Sequence, residues 1–138
     1  MCCNITLSFF SMKKIVIVFC ILILTASCKS QNEDFTLIGK WKPIESTGSN
    51  GANKFTTKIE DGNEITFEKN NIVIDHLNNK GKYEFTGDSL HLVFDKEEFY
   101  YFCRTDKGNA KKMSLDPVNA EYQFICDEGC STIYKKTE

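Results

Sequence analysis

The side chains able to do chemistry are few: seven cysteines, two histidines and a single arginine, Arg104. A metal-binding or catalytic histidine needs a second ligand at chelating spacing or a carboxylate on its own face. His76 has neither, because Asp75 is its sequence neighbour and on a strand falls on the opposite face. No Gly-x-Ser-x-Gly, His-Glu-x-x-His, phosphate loop or paired-cysteine zinc pattern is present, and the acidic residues are scattered singly. The chain is therefore expected not to be an enzyme and to need no metal and no cofactor. Among the body cysteines, Cys126-Asp127-Glu128-Gly129-Cys130 brackets a three-residue turn in which Gly129 suits positive φ. A Cys103–Cys126 bond would span about two ladder spacings, near 10 Å, beyond disulfide reach. The preferred pairing is Cys126–Cys130; the alternative is three thiols acting as small buried apolar groups.

Another cysteine has a different context. Met12-Lys13-Lys14 is a short cationic run, residues 15–24 are wholly apolar, and Thr25-Ala26-Ser27 offers small residues before Cys28. Charge, an apolar stretch too short to remain a spanning helix, then a small-residue exit is the order of a secretory signal. It makes Met12 the expected start and residues 1–27 a signal peptide. Thr25-Ala26-Ser27-Cys28 resembles the lipobox of bacterial lipoproteins, with Thr25 where an aliphatic residue is usual. The resemblance implies a diacylglycerol on Cys28, each buried methylene contributing about 0.8 kcal/mol to anchoring. The rival is an ordinary signal peptide with Cys28 a free thiol, or an uncleaved anchor. Residues 28–36 read as a lipidated cysteine and polar tether. Lys29 after the cysteine favours the outer membrane, at its periplasmic face or the cell surface. Asn32-Glu33-Asp34 faintly resembles an acidic surface-export tag.

Removing 27 residues from 138 leaves 111, enough for one core. It also takes Lys13 and Lys14, so 15 basic residues face 19 acidic ones and the net charge goes from −2 to −4. With charges interspersed and no basic block, a nucleic-acid partner is not expected. From Ile38 onward, aromatic and β-branched residues recur at period two between Asn, Gly and Asp punctuation. That pattern predicts an all-β domain over residues 37–138: eight or nine antiparallel strands closing as an up-and-down barrel. Asp116-Pro117 reads as a loop, and residues 47–57 and 105–120 as long loop segments, the second broken by a candidate strand at Lys112–Leu115.

Gly39-Lys40-Trp41 resembles the Gly-x-Trp motif that opens the first strand of lipocalins, and the meander after it is similar to the short lipocalin-like domains of bacterial lipoproteins. The resemblance implies that Gly39 permits a tight start and that Trp41 closes the barrel base. The sequence departs from that family in lacking a Thr-Asp-Tyr motif and an arginine in the last strand; Lys135 or Lys136 substitutes in part. Strand phase puts Ile72, Ile74 and His76 on one face and Val73 on the other. It turns Tyr83, Phe85, Leu90, Leu92, Phe94, Tyr101, Cys103, Tyr122, Phe124 and Cys126 inward, and His91 outward. His76, Tyr83, Tyr101, Tyr122 and Phe124 are thus candidate lumen residues for a small apolar or amphipathic ligand. The alternative is a barrel filled by its own side chains whose outer loops meet an envelope protein, as inhibitor or adaptor.

Overall fold

The computed structural model describes residues 34–138 except residues 107, 127 and 128. The expected signal peptide, the lipidation candidate Cys28 and most of the tether lie outside the described residues. Within them run nine strands: β1 (Gly39–Ser49), β2 (Lys54–Lys58), β3 (Ile65–Glu68), β4 (Ile72–Ile74), β5 (Lys80–Thr86), β6 (Ser89–Phe94), β7 (Glu97–Asp106), β8 (Asn109–Val118) and β9 (Ser131–Lys136). All pairings are antiparallel, neighbour to neighbour from β3 to β9. β1 then bonds β3 through residues 39–41 and β9 through residues 41–47, with a bulge between Pro43 and Glu45. The eight strands β1 and β3–β9 therefore close on themselves, and β2, paired to the far half of β1, is an extra strand. Closure removes the exposed edges that an open meander would leave unpaired. The architecture is consistent with a lipocalin-like barrel.

Residues opposite one another share a face, so a chain of cross-strand pairs defines the interior. Trp41 faces Ile65, Phe67 faces Val73, Tyr83 faces Leu92, Phe85 faces Leu90, Leu90 faces Tyr101, Cys103 faces Leu115 and Met113 faces Tyr134. Leu37, Trp41, Phe67, Val73, Leu90, Leu92, Cys103, Met113 and Leu115 are buried there as one cluster. Phe35, Ile65, Tyr83, Phe85, Phe94, Tyr101 and Tyr134 pack against it.

One end carries the start of β1, the end of β9, the 3-10 turn Lys69–Asn71 and the turns at Gly87 and Gly108. It is plugged by the incoming chain, where the Trp41 indole is fully buried, donates to the Leu37 carbonyl at 2.7 Å and packs 5.8 Å from Phe35. Lys136 Nζ stands 5.4 Å above the indole and donates to the Thr36 carbonyl at 3.1 Å, taking the place the resemblance gives an arginine. The opposite end carries the turns at residues 75–79 and 95–96, the β1–β2 hairpin tip and the β8–β9 connection.

Three sequence expectations are corrected. Val73, not Ile72 and Ile74, enters the core, because its register with Phe67 and Gly81 fixes the face; an all-apolar three-residue strand marks no phase of its own. The expected loops at residues 47–57 and 105–120 are mostly strand: the first is the β1–β2 hairpin and the second the β7–β8 hairpin. Pro117 sits inside β8 yet costs little, because β9 pairs with β8 only over residues 112–115 and asks no donor of the proline. The third correction concerns Tyr122–Cys126, expected as a strand of the meander: its pairing is a single bridge from Val118 to Phe124. Asn119 accepts from the backbone N–H of Glu121 and Gln123, and Tyr122 takes φ +57°, which breaks the alternation and folds the segment back on the barrel exterior.

Candidate functional site

The sequence candidates divide between four places. Gly39 and Trp41 are in the plug. Tyr83 and Tyr101 face inward: Tyr83 meets Phe67 edge-on at 5.1 Å and donates to the Glu68 carbonyl at 3.1 Å, so its hydroxyl is engaged at the plugged end. Burial pushes the Tyr101 phenol up, and pushes that of Tyr134, which the sequence reading missed, to about 12 through burial and the adjacent Tyr101. The remaining three candidates are not in the lumen. His76 is exposed in the β4–β5 turn, because the strand ends at Ile74 before its phase can carry inward. Tyr122 and Phe124 lie on the outer wall against Tyr100 and Phe102, whose alternation points outward.

At the open end, β6 and β7 meet in a tight turn that brings Phe94 and Phe99 edge to face at 6.4 Å. Both are on the interior-facing phase, opposite Glu97 and Leu92 respectively. Phe94 packs on the core, whereas Phe99 stays 39% exposed. They form the apolar side of a cleft of about 660 Å³, whose polar rim is Asp75, His76, Asn79, Lys80, Asp95, Lys96 and Glu97. The Asp75 carboxylate is committed to its own turn. It accepts from the backbone N–H of Leu77 and Asn79 at 2.9 and 2.8 Å and from Asn79 Nδ2 at 2.8 Å. Desolvation, which raises its pKa, is outweighed by those Asn79 and Leu77 bonds, and the group titrates below its ordinary 3.8. His76 therefore belongs to the rim of a mouth, not to a lumen wall. The signal for this cleft was the inward phase of Phe94 next to Asp95-Lys96, a turn that leaves the last inward ring uncovered.

The outer wall carries two further constellations. His91 stacks flat on Tyr100 at 4.3 Å, and Glu98 Oε2 accepts from His91 Nε2 at 3.1 Å and from the Tyr100 hydroxyl. Those two bonds, Tyr100 first, hold the Glu98 carboxyl below its usual range, and Glu98 in turn raises Tyr100. Nearby, Asp116 is 1% exposed although its phase is outward, because the returning segment covers it. Its Oδ1 accepts from Ser114 at 3.3 Å, and its Oδ2 pairs, among the described residues, with the Arg104 guanidinium. Cys126 and Cys130 are joined as a disulfide with Cα atoms 5.8 Å apart. Cys103 is a buried free thiol whose pKa rises to about 12 through burial first and then the carboxylates of Asp116 and Asp88. A thiol so disposed is inert. Among the described residues, no three His, Cys, Asp or Glu side chains converge as a metal site.

Fold and site together define a closed antiparallel barrel, plugged at one end and open over aromatic side chains at the other. Compared with protein-family models and with curated proteins, the sequence matches none.

Proposed function

We propose that the protein is an exported, lipid-anchored, non-enzymatic binding module that takes a small amphipathic molecule at the open end of its barrel. The observation that carries this is the Phe94–Phe99 pair: inward-facing rings of which Phe99 is left 39% exposed over a cleft whose volume is within the 300–1,000 Å³ range of ligand sites. Covering the exposed part of the Phe99 ring is worth about 1 kcal/mol. The rim offers both signs of charge, Lys80 and Lys96 against Asp95 and Glu97, which suits a zwitterionic or neutral polar head over an apolar body. The buried cluster below fills the middle of the barrel, so the ligand sits in the mouth and not deep in the lumen. The anchor rests on Cys28 following Thr25-Ala26-Ser27 and an apolar run. A lipid on that cysteine would hold the module in the cell envelope, with the outer membrane the favoured site.

Calorimetric titration with dodecylphosphocholine below its micelle concentration tests the mouth. Saturable binding that Phe99→Ala weakens by about ten-fold, with dodecyl sulfate binding less tightly, supports the reading. Equal affinities for wild type and Phe99→Ala reject it. Radiolabelled palmitate incorporated by wild type and not by Cys28→Ala supports the anchor; label persisting in the variant rejects it.

A further inference from the structure

The mouth cleft and the core meet at one side chain. Among the described residues, none of the nine that form the buried cluster lines the cleft. Phe94 lines it and also packs against that cluster, while Phe99 stands exposed at the lip. What lets Phe94 lie there is a side chain missing from the neighbouring strand. β5 and β6 pair as far as Lys82 with Val93, and one step further Gly81 comes beside Phe94. Gly81 shares the inward phase of Val73, its fully buried partner on β4. A β-carbon on Gly81 would come within 2.7 and 3.0 Å of Phe94 Cδ1 and Cε1, and would run into the Val93 carbonyl oxygen. Gly81 has no positive φ, so the glycine supplies space and not torsion. The Phe94 ring takes the room that a side chain at position 81 would need, and it separates the mouth from the filled interior.

A floor made of one ring limits the length of whatever stands on it. Phe99 at the lip and Phe94 below it are 6.4 Å apart, centre to centre. A few methylenes joined by bonds of about 1.5 Å span that depth. Each methylene moved from water onto the rings strengthens binding about four-fold. Once the chain end reaches the floor, further carbons stay in water and add nothing. The apolar side of the cleft is these two rings and the rest of its lining is polar, which suits one chain and not two. We propose, building on the mouth reading, that the cleft selects amphiphiles by chain length. It takes a single apolar chain of about eight carbons or fewer, whose end stops against Phe94. Gly81 is the residue that lets the ring lie across the barrel and so fixes that limit.

The test is a nuclear magnetic resonance titration of the purified, isotope-labelled protein with hexyl-, octyl-, decyl- and dodecylphosphocholine, each below its micelle concentration. Affinity that climbs about four-fold per methylene from hexyl to octyl and then levels, with Gly81 and Phe99 among the shifting amides, supports the proposal. Phe94→Ala deepens the cleft by one ring, so its affinities keep climbing to the decyl or dodecyl chain. Phe94→Leu keeps an apolar floor of shorter reach and moves the plateau the same way. It carries the test if the alanine variant does not fold, and an unchanged Trp41 fluorescence spectrum verifies the fold. Affinity rising at every step to dodecyl in the wild type would overturn the chain-length limit and leave the mouth reading intact. A plateau that stays at octyl in the folded variant would do the same. No saturable shift with any of the four chains would overturn both.

Discussion

At Gly39 the backbone stands at φ +133°, and a β-carbon there would lie 2.4 Å from the carbonyl oxygen of Glu138 and from Lys136 Cε. The carbonyl is backbone and cannot swing away, so the glycine is required twice over, by torsion and by contact. Two residues later the indole of Trp41 seals the same end. Gly39→Ala is therefore expected to cost about 1–3 kcal/mol, lowering the thermal midpoint by several degrees. The quantity to measure is thermal unfolding followed by fluorescence of Trp41, the single tryptophan. An unchanged midpoint would mean that the plug does not depend on this approach. At this scale the sequence was informative where a motif carries its own geometry, as Gly39 and Trp41 do. It was not for His76, whose position depends on where β4 stops, nor for Arg104 and Asp116, which only register brings together across β7 and β8.

Strands announce themselves by alternation, and β5, β6 and β7 could be phased from Tyr83, Phe85, Leu90, Leu92, Tyr101 and Cys103 alone. The failures came where alternation is uninformative. β4 is apolar at every position, β2 is exposed at every position, and Tyr122–Cys126 alternates in sequence without being a strand. That last segment is a flap held on the exterior by Tyr122 and Phe124 and tied by the Cys126–Cys130 bond. A disulfide closing so short a loop removes little entropy from the unfolded chain, about 2 kcal/mol at most by the loop-length relation. The Cys126→Ser, Cys130→Ser double variant is accordingly expected to retain the barrel, with a urea midpoint only modestly lowered. Its amide exchange should quicken at Val118, Tyr122 and Gln123 while Leu90 and Leu115 remain protected. Uniform loss of protection would show the flap to be part of the cooperative unit and not an accessory to it.

At the scale of the whole molecule, closing eight short strands leaves one narrow interior into which every inward side chain must fit, polar or not. Among the described residues, four ionisable groups face that interior, Cys103, Tyr83, Tyr101 and Tyr134, and burial raises all four. Each is neutral when protonated, so burial holds the proton on, raising Cys103 from 9.0 to about 12 and Tyr134 from 10.0 to about 12, with Tyr101 raised as well. The unfolded chain releases these protons near the ordinary values, so above about pH 9 it binds fewer protons than the native state. Stability must then fall as pH rises. It is fully present below pH 9, and is progressively lost toward pH 12. A displacement of two or three pH units in each of two groups is worth a few kcal/mol apiece, a large part of the 5–15 kcal/mol that typically holds a domain together. The urea midpoint should be level from neutral pH to about 9 and then drop steeply, with tyrosinate absorbance and Trp41 fluorescence changing together. Tyr134→Phe should shallow the decline above pH 10, and Cys103→Ala the part nearest pH 9. All five tyrosines, Tyr101 and Tyr134 included, titrating at the ordinary pH while the indole signal stays native would mean that the inward phenols reach water freely and the interior is open, contrary to a barrel filled by its own side chains.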